Sequence, residues 1–302
     1  MLSTLIDPIL PIFTILLLGF IAFRTKAFDV PAAQIINKFV FYLATPALVF
    51  NVISNAPIEQ LDYRALGVYF SAQLIAYMGL FALLHYFFNI DKKEALLLAL
   101  TSVFVNHIFF VLPIAERVYG PIAARPIAGV VIIDILVLFC GTVLALDLIN
   151  STQKSVFNTF KLLCKNPFLI ASFLGALTWL VKDSMPSGLL TYATFVGAAA
   201  APASLFSLGV ILASNPLGNV GRATWLVVAV NVVLMPILVY AFIQGVDVSP
   251  QWSKIILLMS AGPCGAMPFV IALQYGIPTR RIAKAILIST LLSLVSITYL
   301  TS

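Results

Sequence analysis

The sequence predicts an all-α integral membrane protein of ten transmembrane helices, built as two five-helix repeats inverted in the membrane. Three observations carry that expectation. The 302 residues are 62% hydrophobic and only 9% charged, with a mean hydropathy of +1.09, where a soluble domain carries roughly 25% charged residues. Apolar runs of about 20 residues, the length that crosses a bilayer, recur from end to end. Two stretches 156 residues apart repeat one interrupted pattern: Phe104 to Gly120 (FVNHIFFVLPIAERVYG) and Ser260 to Gly276 (SAGPCGAMPFVIALQYG). Each sets proline inside an apolar run (Pro113; Pro263 and Pro268), ends in Tyr-Gly, and is followed five residues on by arginine (Arg125; Arg281).

The spans fall roughly at 5–23, 32–55, 65–88, 94–118, 122–148, 167–182, 188–213, 222–244, 252–275 and 279–300. The first carries Pro8 and Pro11 and lacks a basic start, so it does not read as a cleavable signal peptide. The second holds Lys38 and Thr45-Pro46-Ala47-Leu48, which the seventh echoes as Ala201-Pro202-Ala203-Ser204-Leu205. The third holds Gln73, and the fourth is the first interrupted stretch. The fifth holds Asp134 and Ile127-Ala128, matched in the tenth by Ser289 and Ile282-Ala283. Asp7-Pro8 and Asn166-Pro167 open the first and sixth. The eighth holds Asn231, and the ninth is the second interrupted stretch. Residues 1–149 and 167–302 are the two repeats, and residues 150–166 are a cytoplasmic linker too short to be a domain. An odd number of spans per half requires the halves to be inverted, a common arrangement for alternating-access carriers.

Short loops carry most of the charge. One set holds Arg24, Lys26, Lys92, Lys93, Lys154, Lys161, Lys165, Arg222, Arg280, Arg281 and Lys284; the other holds only Arg64, Arg117, Arg125, Lys182 and Lys254. The positive-inside rule then puts both termini on the non-cytoplasmic side of the cell (inner or plasma) membrane. The net charge of +6 reads as this bias and not as a nucleic-acid surface. Cys140, Cys164 and Cys264 have no metal-type spacing, and two histidines build no metal centre. No cofactor or metal is expected.

Paired interrupted helices in matching positions of two halves point to a secondary transporter's binding site. A proline removes a backbone hydrogen bond, and at mid-membrane such freed groups survive only against protein or a wet cavity. The second half of each broken helix then begins with free N–H groups and a positive dipole end, which suit an anion. The candidate substrate-binding residues are Asn106, His107 and Pro113 in the first break, and Gly262, Pro263, Cys264, Gly265 and Pro268 in the second. Asp134 sits mid-span, where a carboxylate is costly and by default functional. It, Lys38, Gln73 and Asn231 are candidates for coupling to a proton or sodium ion. The bland readings are a proline kink for the breaks, a packing hydrogen bond for Asp134, Gln73, Asn51 and Asn231, and snorkelling for Lys38.

These residues resemble the auxin efflux carrier family. GPCGAMPFVIALQYG looks like that family's last broken helix, and Asn106 followed by Pro113 and Tyr119-Gly120 is similar to its first. INKFVF at 36–41 and LFSLGVILA at 205–213 match further runs. The resemblance covers essentially the whole chain. It implies a scaffold of spans 1, 2, 6 and 7, and a transport domain whose helices 4 and 9 cross at the site. A linker of only about 17 residues is similar to the compact prokaryotic members, associated with malate and malonate. His107 stands where the plant pattern has a small hydroxyl residue and Cys264 where it has a glutamine-like group; both departures count against auxin itself, and the anion implied is auxin-like or malate- or malonate-like.

The function expected is therefore secondary transport of a small organic anion, a mono- or dicarboxylate, by an elevator or rocking motion. The runner-up is a sodium-coupled symporter of the bile-acid type, followed by a channel or sensor on the same fold. No GxSxG or HExxH motif occurs, and Asp134 is the acidic residue at mid-depth, so an intramembrane enzyme is not expected. The partners expected are the anion and membrane lipid, with a homodimer left open.

Overall fold

The computed structural model describes residues 2–55, 59, 61–150, 165–178, 186–214 and 218–301. Residues 151–164 of the expected linker, with Lys154, Lys161 and Cys164, lie outside the described residues, as does Lys182. The described chain is helical: α1 (Leu2–Arg24), α2 (Val30–Ser54), α3 (Tyr63–Phe87), α4 (Lys92–Val103), α5 (Leu112–Tyr119), α6 (Pro121–Asn150), α7 (Pro167–Leu177), α8 (Ser187–Ser214), α9 (Arg222–Gly245), α10 (Pro250–Ser260), α11 (Met267–Gln274) and α12 (Arg280–Thr301). Six of these, α2, α3, α6, α8, α9 and α12, are long and apolar enough to cross a membrane, while Thr14–Arg24 of α1 and α7 are shorter apolar helices. Both interrupted stretches are broken, as α4/α5 and α10/α11.

Local chemistry sets the helix starts. Asp29, Asp62, Asp91, Asn166 and Ser249 cap α2, α3, α4, α7 and α10, each side-chain oxygen accepting an N–H of the first turn at 2.8–3.4 Å. Pro31, Pro167 and Pro250 follow in the first turn, where a missing N–H costs nothing. Further along, Pro46, Pro113 and Pro236 each follow a widened π turn, at Val40–Ala44, His107–Val111 and Val230–Leu234. A proline that cannot donate to the turn before it loosens that turn. Another π turn, Asp134–Phe139, begins at Asp134 with no proline near it.

The helices pack as two groups. In one, α1 lies along the Ala200–Ser214 part of α8, and α7 along the Thr45–Ser54 part of α2. Glycine makes both contacts close. A Cβ on Gly19 of α1 would lie 2.1 Å from the Phe206 carbonyl oxygen, one on Gly209 of α8 2.1 Å from that of Leu16, and one on Gly175 of α7 3.1 Å from that of Phe50. The other group packs α3, α4, α6, α9, α10 and α12 together. Between the groups, α11 is tied to α2 by hydrogen bonds from Asn37 Nδ2 to the Val270 carbonyl (2.9 Å) and from Gln274 Nε2 to Tyr42 Oη (2.7 Å).

Side-chain bridges gather the loops at two ends. Arg281 meets Glu94 at 2.7 Å, Lys284 donates to the Asn219 carbonyl at 3.0 Å, and Tyr275 donates to Asp147 at 2.6 Å. At the other end, exposed Arg64 meets Asp247 at 3.2 Å.

Candidate functional site

The two breaks meet. Val105 lies opposite Cys264 in an antiparallel bridge, with Asn106 N–H donating to the Pro263 carbonyl at 2.9 Å and Gly265 N–H to the Phe104 carbonyl at 2.7 Å. Each break thereby satisfies backbone groups freed by the other, as membrane depth requires. The approach is tight because it runs over glycines. A Cβ on Gly262 would lie 2.5 Å from Val105 Cγ1 and 2.6 Å from Val111 Cγ2, and one on Gly265 3.0 Å from the Phe104 carbonyl oxygen. Ser289, the repeat mate of Asp134, accepts the Cys264 N–H at 3.1 Å.

A helix that stops inside a membrane leaves its last carbonyls without intrahelical partners. At the end of α4 two amides supply them: Gln73 Nε2 donates to the Val103 carbonyl (3.1 Å) and Asn231 Nδ2 to that of Ser102 (3.2 Å). Gln73 Nε2 also donates to Asp134 Oδ1 at 2.7 Å. Asp134 Oδ2 lies 3.2 Å from His107 Nε2 and has no hydrogen-bond partner. Tyr69 Oη lies 3.4 Å from the same ring nitrogen. The network Tyr69–His107–Asp134–Gln73 is buried throughout, its members at most 3% exposed. His107 Nδ1, Gln73 Oε1 and Asn231 Oδ1 are buried without a hydrogen-bond partner.

Beside this network lies a cavity of about 70 Å³, room for roughly five waters or a small ligand of similar bulk. Its walls are Thr45, Leu48 and Val49 of α2, residues 104–108 of the first break, Val131, Asp134, Ile135 and Phe139 of α6, and residues 265–267 of the second break. It therefore opens between the two helix groups. The chain entering α5 and the first residues of α11 both border it, so two positive helix ends converge on one space. Thr45 Oγ1 contacts Met267 Sδ across it at 3.6 Å.

The structure brings Asn106, His107, Gly265 and Asp134 to the cavity wall. Gly262, Pro263 and Cys264 form the crossing behind it, and Gln73 and Asn231 hold the end of α4. Three expected residues stand apart. The first break falls at residues 104–106, and Pro113 is on the exposed side of the first turn of α5. Pro268 is buried in the first turn of α11 but does not line the cavity. Lys38 is exposed on α2 and does not join the ion-pair network; its neighbour Asn37 turns inward instead. Asn51 is an interhelical hydrogen-bonder, accepting from Thr194 at 3.0 Å. Sequence reasoning missed Asn37, Thr45 and Tyr69. For Tyr69 a signal existed: Tyr69, Gln73 and Tyr77 recur every fourth residue and share one buried face of α3.

Known transporters are similar to this chain over most of its length. The chain is 27% identical over 298 residues to a "Putative malonate transporter" of Rhizobium meliloti, covering 96% of this chain and 92% of that one. It is 24% identical over 306 residues to an uncharacterized transporter of Escherichia coli K12, covering 96% and 95%. It is 24% identical over 299 residues to an uncharacterized transporter of Methanocaldococcus jannaschii, covering 94% of each. The profile of the family described as "Membrane transport protein" matches residues 4–159 and 150–301. Spanning essentially the whole sequence, that match makes this chain a member of the membrane transport protein family, and its kinship is with the auxin-efflux-carrier-like transporters.

Proposed function

We propose that the chain is a secondary transporter carrying a small carboxylate, in the size range of malonate, across the cell membrane by alternating access. The observation that carries this reading is the cavity at the antiparallel crossing, where two helix ends meet between two separately packed helix groups. In this reading α1, α2, α7 and α8 are the scaffold, and the remaining helices move as the transport domain. The relative named for malonate favours short dicarboxylates as the substrate class.

The same reading takes the fold as ten crossings in two inverted repeats, residues 1–149 and 167–302, joined by a cytoplasmic linker at 150–166. Several contacts support it. Gly19 against the Phe206 carbonyl and Gly175 against the Phe50 carbonyl are one contact made twice, each member 156 residues from its mate. Asp134 reaches the first break as Ser289 reaches the second. With basic loops inside, both termini face away from the cytoplasm. Asp134, Gln73 and Asn231 stand where a coupling proton or sodium ion would act. Lipid is the partner of the outward apolar residues, such as Phe195 and Val295.

A thermal-shift screen of the purified protein against mono- and dicarboxylates, with sodium and pH varied, tests the reading, because a ligand of the folded state raises the melting temperature by mass action. Malonate is expected to stabilise. Asn106→Ala is expected to weaken its affinity by about 1.5–3 kcal/mol, the worth of a hydrogen bond to a charged group, read against the melting of the unliganded variant. Unaltered affinity in Asn106→Ala would place the ligand elsewhere.

A further inference from the structure

We propose that His107 is a proton-linked receptor for the substrate's carboxylate: its imidazole takes up one proton as the anion binds, so that substrate and proton share the site. The inference rests on the anion-transport reading above. Its warrant is an incomplete hydrogen-bond set. A neutral imidazole has one donor nitrogen and one acceptor; a protonated one has two donors. Nε2 faces Asp134 and Tyr69, whereas Nδ1 is buried and has no partner. A second N–H on this ring would be a buried donor lacking an acceptor, which is costly on its own. His107 lines the adjoining cavity, so a carboxylate seated there against Nδ1 would supply that acceptor, with Asp134 at 3.2 Å to offset the ring's charge.

The cavity offers the anion no other cation. No lysine or arginine lines it among the described residues, and Lys38 of α2 is exposed. The titratable groups facing the ring are Asp134 from α6 and Tyr69 from α3. From the α10–α11 connection comes Cys264, opposite Val105. Among the described residues, the other polar side chains of the cavity and network, Asn106, Gln73 of α3 and Thr45 of α2, are uncharged. Anion and proton thus each provide what the other lacks, and linkage makes the effect reciprocal: protonation tightens anion binding by the factor by which the anion tightens protonation. The balance is one proton from solvent to the ring per anion bound.

Titration calorimetry of the whole protein with malonate, in two buffers of different ionisation enthalpy, counts that proton directly. The wild type is expected to take up about one proton per malonate bound. Affinity should rise by up to about tenfold for each unit of pH lowered. His107→Gln, which keeps a hydrogen-bonding side chain but cannot charge, should take up none. His85→Gln, which alters the histidine outside the cavity, should behave as wild type. Proton uptake retained in His107→Gln, or lost in His85→Gln, overturns the assignment. Malonate binding to the wild type without proton uptake overturns the linkage and leaves the transport reading standing. Absence of binding by malonate, succinate and acetate overturns both. If His107→Gln melts early or does not bind, His107→Asn takes its place with the same two outcomes, and proton uptake retained in it overturns the assignment.

Discussion

Gly262→Ala is expected to abolish transport. The added methyl would sit 2.5 Å from Val105 and 2.6 Å from Val111, and both valines are stiff at χ1 in helical or extended backbone. Overpacking of this kind costs about 1–3 kcal/mol, and here the cost falls on the bridge between Val105 and Cys264. The breaks would separate, the two helix ends would no longer converge, and carboxylate affinity should drop by at least about tenfold per 1.4 kcal/mol lost. Val105→Ala in the same chain should restore part of the activity by removing one of the two clashes. Thermal melting of both variants, alongside substrate binding, separates a displaced crossing from a chain that fails to fold. Full activity of Gly262→Ala would mean that the closeness of the crossing is incidental.

Asp134→Asn should uncouple transport from the ion gradient. The amide nearly preserves the shape and can still meet Gln73, but it carries no charge to set against His107. Exchange of substrate across the membrane should continue. Gradient-driven accumulation should fall from up to about tenfold per pH unit, the limit for one proton, to none. Uptake into proteoliposomes under an imposed pH or sodium step reads the difference. Accumulation unchanged in Asp134→Asn would make the residue a packing group and favour a uniporter driven by membrane potential.

The sequence made the general plan legible and left the site's internal geometry hidden, for physical reasons visible at particular residues. The breaks announced themselves because proline and Tyr-Gly are strong punctuation in an apolar run. Pro113 groups with Asn106 and His107 in the break that the sequence predicts, whereas the helix gives way at residues 104–106 and resumes through a π turn ahead of the proline. Lys38 and Asn37 show a second limit. Adjacent residues on a helix point about 100° apart, and with apolar neighbours on every side nothing in the sequence says which faces lipid. His107 and Asp134 pair across two spans, a contact that exists only once the helices are packed. The π turns at His107 and around Asn231 precede Pro113 and Pro236, but the one at Asp134 has no proline to announce it. Such bulges often mark functional positions.

The account turns on a carrier whose single site is reached alternately from each side. Counterflow tests that most directly. Purified protein in liposomes preloaded with unlabelled malonate is diluted into trace labelled malonate. Alternating access predicts saturable uptake of label that is accelerated by internal malonate and weakened in Asn106→Ala. Uptake that fails to saturate and ignores the internal malonate would contradict a carrier and point to an open pore.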